Sequence, residues 1–126
     1  MSEGLVTFIL SYHDLHELPR NRKVANETLN GAIGGSVANV FGQLLADPKP
    51  IRYGTNPGRE FFYACTQSEK KFLVKSRIFL VNRRLYQLTC LMEESVFDQK
   101  LAEDFWGTFR LLESESDLPP RPKISR

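Results

Sequence analysis

The chain of 126 residues has the length of one domain of ordinary size. Its 41% apolar and 25% charged residues lie near the averages for globular proteins, which excludes a disordered or fibrous chain. No apolar run reaches the ~18 residues that a membrane-spanning helix needs, and the N-terminus lacks the basic start of a signal peptide. We therefore expect a soluble protein, cytoplasmic as the sequence stands, or extracytoplasmic if a leader has been removed.

The net charge of +2 conceals an uneven distribution. Residues 51–92 carry eight basic and two acidic side chains, whereas residues 93–112 carry two basic and five acidic ones. A basic centre beside an acidic segment predicts a local positive patch, and it argues against a wholly basic nucleic-acid-binding protein.

The N-terminal part predicts a strand, a loop and a helix. Leu5–Ser11 is rich in β-branched and large apolar residues and predicts a buried strand, and the polar residues 13–23 predict a loop. Apolar residues spaced three or four apart predict a helix from its N-cap Asn26 to Ala46. Each glycine in a helix costs about 0.8–1 kcal/mol relative to alanine, so a close approach of the helix to a sheet is expected at its glycines. These are Gly31, Gly34, Gly35 and Gly42.

The centre of the chain predicts an antiparallel meander of three strands. The segments are Arg59–Gln67, Lys71–Val81 and Leu85–Met92, joined by short polar links. Three-residue turns at 68–70 and 82–84 are favoured, because the second of them places Leu80 opposite Tyr86 on an almost wholly apolar face. A two-residue turn would place Arg77 opposite Leu88 and mix the two faces of the hairpin.

The C-terminal part predicts a second helix followed by a disordered tail. The helix runs from about Val96 to Phe109 behind the N-cap Ser95, with its apolar stripe at every fourth residue from Phe97. Trp106 adjoins this stripe and is either half-buried at the edge of the helix or an exposed contact. Residues 113–126 are polar and proline-rich, so we expect one domain over residues 1–112 and a disordered tail over 113–126.

Several segments together resemble the PsbP-like and Mog-like domains, in particular their short uncharacterised bacterial members. The residues that carry this resemblance are Leu29-Asn30-Gly31-Ala32, Leu44-Leu45, Pro57-Gly58-Arg59-Glu60-Phe61, Arg77-Ile78-Phe79-Leu80-Val81, Arg84-Leu85-Tyr86-Gln87-Leu88, Phe105 and Phe109-Arg110-Leu111. The resemblance implies an α+β fold, an antiparallel sheet sandwiched between helices. It also implies a function in binding, since one branch of the family attaches to photosystem II and another to the Ran GTPase. The family offers no shared catalytic residues to transfer.

The chain departs from this family in two places. Relatives commonly begin with further strands, whereas the first predicted strand of this sequence, Leu5–Ser11, lies almost at its start. The hairpin turn holds Asn82 and Arg83, where relatives often have glycine. Both departures weaken the transfer of a partner.

No group of residues forms a recognisable catalytic or metal site. Residues 31–36 resemble a phosphate-binding loop, but no lysine follows them and they lie within a helical pattern. His13 and His16 have no further histidine to complete a metal site. Cys65 and Cys90 lie in apolar strands, on opposite faces of the predicted sheet, and behave as buried free thiols. We expect no enzymatic activity, no metal and no cofactor.

The most informative predicted surface is a face on which basic and aromatic residues alternate. Its residues are Phe61, Tyr63, Lys75, Arg77, Gln87 and Thr89. Such a face can clamp anions, stack on bases or meet an acidic protein patch, unless the acidic second helix covers it and pairs with it.

We therefore interpret the chain as a non-enzymatic protein-binding module, of the kind that serves as an accessory or assembly factor of a larger complex. The alternatives are a small-ligand-binding or hydrolytic domain with a pocket between sheet and helix, and a single-stranded nucleic-acid binder. A protein partner is favoured over nucleic acid, and the sequence leaves the partner's identity and the oligomeric state open.

Overall fold

The computed structural model describes residues 5–109, which form an open antiparallel sheet with two helices. The strands are β1 (Val6–Asp14), β2 (Gln43–Leu44), β3 (Lys49–Tyr53), β4 (Asn56–Gln67), β5 (Lys70–Val81) and β6 (Arg84–Glu93). The helices are α1 (Arg22–Asn39) and α2 (Gln99–Thr108), and a 3-10 turn (Glu94–Val96) precedes α2. The strand order is β1-β6-β5-β4-β2, and β3 also pairs with β4.

The predicted sandwich of a sheet between helices is wrong. Strands make up 48% of the described residues, and the two helices cover the central strands but are too short to cover the whole sheet, which stays open. Within residues 5–109, α1 buries Leu29 and Ile33, and α2 buries Ala102 and Trp106. These contacts reach the central strands and leave β1 exposed along most of its length. The predicted meander of β4, β5 and β6 is confirmed.

Two apolar clusters lie on opposite faces of the sheet, which we call the α1 face and the α2 face after the helix packed on each. The buried residues of the α1 face are Leu29, Ile33, Phe61, Tyr63, Cys65, Phe72, Val74, Ile78, Leu80 and Leu85. Those of the α2 face are Phe79, Val81, Leu88, Cys90, Met92, Ala102, Trp106 and Phe109. Because β4, β5 and β6 are covered on both faces, these strands are far more apolar than a strand with one solvated face.

The register of β5 on β6 differs from the prediction by one residue. Their turn has two residues, Asn82 and Arg83, and Asn82 has a φ of +56°, a left-handed conformation that asparagine tolerates better than most residues. Arg77 consequently lies opposite Leu88, the pairing that the predicted three-residue turn was meant to avoid. A slip of one residue moves every side chain of β6 to the other face relative to β5.

The turn between β4 and β5 also has two residues, so the predicted three-residue turn at 68–70 is wrong as well. Ser68 and Glu69 have φ values of +53° and +66°. Positive φ at both central residues is typical of the hairpin turn whose twist matches that of the flanking strands. Cys65 therefore lies opposite Phe72.

Helix α1 begins and ends several residues before its predicted bounds of 26 and 46. Asn21 is the N-cap, and its side-chain oxygen accepts the backbone N–H of Val24 at 2.9 Å. The helix ends at Asn39, because Phe41 has a φ of +53° and the chain turns away. Residues 43–44 and 49–53 then form β2 and β3, which the sequence analysis did not predict.

The glycines within α1 do not approach the sheet, so the expected close contact is wrong for Gly31, Gly34 and Gly35. A Cβ added at any of these three would meet no atom within 4 Å. A close approach does occur at Gly42, just beyond the helix, where an added Cβ would lie 3.0 Å from the ring of Tyr63.

We therefore expect Gly34→Ala to raise the free energy of unfolding by about 0.5–1 kcal/mol, because alanine loses less backbone entropy in a helix. Urea denaturation would measure the change. Gly58→Ala is the matched control and should lower the free energy of unfolding, since its new Cβ would clash with the carbonyl oxygen of Ile78. A Gly34→Ala variant less stable than the parent would contradict this description of α1.

The stripe predicted from Phe97 does face the sheet, since Phe97, Leu101 and Phe105 pack against the α2 face and Phe109 is buried there, but helix α2 is shorter than predicted. Its N-cap is Asp98, whose carboxylate accepts the backbone N–H of Lys100 at 2.9 Å, in place of the predicted Ser95. Ala102 and Trp106 are buried, whereas Phe105 is only partly buried. Trp106 is 9% exposed and belongs to the core of the α2 face, so neither expectation for it was right.

Neither helix of the described part has the length and apolar content that a membrane crossing requires. The predicted disordered tail, residues 113–126, and the end of the predicted domain at residue 112 lie outside residues 5–109.

Candidate functional site

The six residues predicted to share one basic–aromatic face lie on both faces of the sheet. The pairing of the strands places Phe61, Tyr63, Gln87 and Thr89 on the α1 face and Lys75 and Arg77 on the α2 face. The predicted common face is therefore wrong. Its error follows from the two turns, each of which has one residue fewer than predicted.

The two aromatic residues of that set belong to the core. Phe61 and Tyr63 are 2% and 6% exposed, and their rings stack at 5.9 Å between centroids. Burial also raises the pKa of the Tyr63 hydroxyl. Neither ring is available to a partner while α1 stays in place.

The two polar residues of the α1 face take part in a hydrogen-bonded network beneath α1. The Gln87 amide donates to the hydroxyl oxygens of Ser36 on α1 and Ser76 on β5, both at 3.2 Å. Ser76, which is fully buried, donates to the Leu88 carbonyl at 3.0 Å and lies 3.2 Å from the hydroxyl of Thr89. These bonds satisfy polar groups inside the α1 face, which would otherwise carry a desolvation cost.

The two basic residues of the set are neutralised within the chain. Arg77 Nε lies 2.7 Å from Glu60 Oε1, and Lys75 Nζ lies 3.8 Å from Glu60 Oε2. The cations also lie over aromatic rings, Arg77 over Trp106 and Lys75 over Phe62, each at 5.1 Å from the ring centroid. The sequence left open that acidic residues of the second helix pair with these two cations. The structure shows instead that the carboxylate paired with both is Glu60 of β4.

The outer edge of β1 is uncovered within residues 5–109. No strand in this range pairs with it. The bonds from the Leu15 N–H to the Arg83 carbonyl and from the Glu93 N–H to the Leu5 carbonyl fix the hydrogen-bonding pairs. Since these pairs alternate along an antiparallel ladder, the odd-numbered residues bond to β6, and the backbone groups of the even-numbered residues point outward.

This edge carries exposed apolar side chains on both faces of the sheet, more of them on the α2 face, since Thr7 and Ser11 on the α1 face are polar. Phe8 and Leu10 are 47% and 60% exposed on the α2 face, and Ile9 is 44% exposed on the α1 face. Leu5–Ser11 was predicted to be a buried strand. The strand is confirmed, but it is mostly exposed, so the predicted burial is wrong. The reason is that the helices cover the centre of the sheet and reach β1 only near its start, where Val6 packs against the α2 face and Phe8 contacts Phe105 of α2 at 5.0 Å between ring centroids.

The edge ends in a charged cluster at Asp14. The Arg84 guanidinium donates to both carboxylate oxygens of Asp14, at 2.7 and 3.1 Å, and this contact lowers the pKa of that carboxyl. The same guanidinium lies 4.0 Å from the centroid of the Tyr12 ring. The uncharged edge therefore runs from Leu5 to Tyr12.

The cysteines are buried and free, as the sequence predicted, and they lie on opposite faces. Cys65 and Cys90 are 5% and 0% exposed, and burial raises the pKa of each thiol. A protonated, inaccessible thiol is a weak nucleophile.

Both native thiols should accordingly react with Ellman's reagent at least about 100-fold more slowly in the folded protein than in urea, because access requires opening of the core. Ser11→Cys, on the exposed edge, gives a matched reactive thiol. A native cysteine that reacts at the rate of that introduced thiol would contradict the burial of both residues.

The β1 edge was missed because local composition does not report position in a sheet. An apolar run such as Leu5–Leu10 is typical of a central strand. One indication was available in the order of the elements. The long strands of residues 59–92 pair with one another and form the centre of the sheet, so a lone strand from the N-terminal part of the chain must join at an edge.

Comparison with known proteins supports the fold and nothing finer. No family model and no curated protein sequence matches the chain. It is similar in structure to PA94 of Pseudomonas aeruginosa, a protein of unknown function, with a TM-score of 0.51 and 11% sequence identity over 93% of this chain and 86% of that chain. The resemblance to PsbP-like and Mog-like domains stays a prediction.

Proposed function

We propose that the protein is a non-enzymatic binding module that takes up an extended apolar segment of a partner protein as an added strand on β1. The observation that carries this proposal is that, within residues 5–109, the outer edge of β1 is unpaired and is bordered by exposed apolar side chains, Phe8, Ile9, Leu10 and Tyr12. Strand addition draws affinity from main-chain hydrogen bonds and specificity from alternate side chains. The β1 edge supplies both kinds of group.

The chemistry of β1 selects the kind of segment that would bind. Residues 5–12 carry no charge, so the edge offers no ion pair to a charged segment. Exposed apolar side chains flank the edge on both faces of the sheet, and an added strand would place its own alternate side chains beside them. The expected partner segment is therefore uncharged and extended, most apolar on the side that continues the α2 face, with a length near the nine residues of β1.

In the described part of the chain, the edge also lacks the features that usually prevent strand addition. Edge strands are commonly protected by lysine, by proline, by a bulge or by a covering segment. The residues of β1 include neither lysine nor proline, and their register on β6 is continuous from Val6 to Asp14. An edge of this kind that serves no partner would be a liability for aggregation.

A lysine placed on the edge should abolish partner binding and leave folding intact. We expect Leu10→Lys to change the free energy of unfolding by less than about 1 kcal/mol, because Leu10 is 60% exposed, and to lower recovery of the partner at least about tenfold. Leu18→Lys is the matched control, since Leu18 is 53% exposed in a loop. Equal recovery by the two variants would contradict the proposal.

Site-specific photo-crosslinking in the native host tests where a partner lies. A photo-reactive phenylalanine analogue replaces Leu10 in one variant and Leu18 in the other, and the crosslinked peptides are sequenced. We expect an adduct at position 10 alone, to an uncharged apolar segment of another protein. Equal adducts at both positions, no adduct at position 10, or an adduct to a second copy of β1 would each contradict the proposal.

A further inference from the structure

A cleft with three arginines lies at the opposite side of the sheet from β1. It has a volume of about 680 Å³ and opens between the first turns of α1, strand β3 and the beginning of β4. Its basic residues are Arg22, Arg52 and Arg59. The apolar part of the lining consists of Ala25, Pro50, Ile51 and Pro57, and Asn21 and Asn26 complete it.

The positive charge of this cleft has no counter-charge in the described part of the chain. None of the described residues that line the cleft is acidic. Within residues 5–109 the ion pairs use other basic residues, and Glu60, the neighbour of Arg59, projects to the α2 face and binds Arg77. Three guanidinium groups gathered without a carboxylate repel one another, and an anion would relieve that repulsion.

The hydrogen bonds around the cleft hold Arg59 in place and leave donors available. Its guanidinium donates to the Asn26 side-chain oxygen at 2.9 Å and to the Gly58 carbonyl at 2.8 Å. A guanidinium has five N–H donors, so these bonds leave others for a ligand. Asn26 accepts through its oxygen, which keeps its NH₂ group as a further donor.

The proposal concerns a site distinct from β1, and it stands or falls independently of the proposed function. We propose that this cleft binds a small organic phosphate, with the phosphate on the guanidinium groups and the organic part against Pro50 and Pro57. Guanidinium groups match phosphate oxygens in geometry and charge. A volume of 680 Å³ lies within the range of small-molecule sites, and the mixed lining suits a ligand with one anionic and one apolar end.

A phosphate monoester fits the cleft better than a carboxylate does. Three arginines present a charge of three, and a phosphate monoester carries nearly two negative charges at neutral pH, whereas a carboxylate carries one. The cleft also opens at the N-terminal end of α1, where the helix dipole adds to the positive potential. The arginines of the cleft come from three separate segments of the chain, so no linear sequence motif indicates the cleft.

Titration of the full chain with phenyl phosphate, inorganic phosphate and benzoate tests the site, with amide chemical shifts recorded at constant ionic strength. We expect saturable shifts at residues 21–26, 51–52 and 58–59, and binding of phenyl phosphate at least about fivefold tighter than that of benzoate. No saturable shift at these residues would overturn the proposal. Equal binding of benzoate and phenyl phosphate would overturn the assignment to phosphates.

Charge-removing variants separate this site from a general attraction of anions. Arg59→Gln should weaken binding of phenyl phosphate at least about tenfold, because Arg59 is the arginine that the cleft holds most firmly. Arg83→Gln removes the same charge from an exposed turn and should change affinity less than twofold. Equal weakening by the two variants would overturn the proposal. If Arg59→Gln fails to fold, Arg22→Gln, at an exposed position of the cleft, replaces it with the same expectation.

Discussion

Reversal of both charges at Lys75 and Arg77 to glutamate should lower the free energy of unfolding by roughly 3–5 kcal/mol. The two cations share Glu60, and the exposed fractions of the three side chains are only 14%, 32% and 15% for Lys75, Arg77 and Glu60. The double variant would bring three carboxylates together beside Phe62 and Trp106, with little water to screen them. Urea denaturation followed by circular dichroism measures the loss.

A matched control and a rescue make this result specific. Lys23→Glu with Arg83→Glu changes the net charge by the same amount at exposed positions and should cost less than about 1 kcal/mol. Adding Glu60→Lys to the double variant restores an opposite charge and should recover part of the stability. A double variant as stable as its control would show that Lys75 and Arg77 are not paired within the chain.

Phe61→Ala should lower the free energy of unfolding by about 3–5 kcal/mol, because it removes a ring from the centre of the α1 face and leaves a cavity. Phe61 is 2% exposed and stacks on Tyr63 at 5.9 Å. It also lies opposite the buried Ser76 of the central strand β5, where neighbouring residues leave little room for collapse. The midpoint of urea denaturation reports the change.

The same substitution at Phe41 is the control. Phe41 is 96% exposed and has a φ of +53°, so its truncation removes almost no buried surface. We expect Phe41→Ala to change the free energy of unfolding by less than about 0.5 kcal/mol. Equal effects at positions 41 and 61 would mean that the α1 face is not packed as described.

The long hairpins were predictable from the sequence, and their register was not. Alternating apolar residues located β4, β5 and β6 to within three residues of their bounds. The choice of turn rested on the assumption that one face would be wholly apolar. That assumption fails at Lys75 and Arg77, which a neighbouring glutamate neutralises, and at Gln87, which bonds to a serine of α1. Partners this distant in sequence leave no local signal.

The site was harder to predict than the fold, because both candidate surfaces depend on the position of an element in the sheet. Leu5–Leu10 has the composition of a central strand, and only the strand order shows that it lies at an edge. Likewise Arg22, Arg52 and Arg59 line one cleft only because β3 pairs with β4 beneath the start of α1. Because β3 was not predicted from the sequence, the cleft that it lines was not predicted either.

Amide hydrogen exchange along β1 tests the role of the open edge most directly. In the free protein, the amides of Ile9 and Ser11 should be protected by their bonds to β6, whereas those of Phe8, Leu10 and Tyr12 should exchange rapidly. Addition of the partner segment crosslinked at position 10 should slow exchange at Phe8, Leu10 and Tyr12 at least about tenfold. Unchanged exchange at these three amides when the segment is bound, or slow exchange there in the free protein, would contradict strand addition at β1.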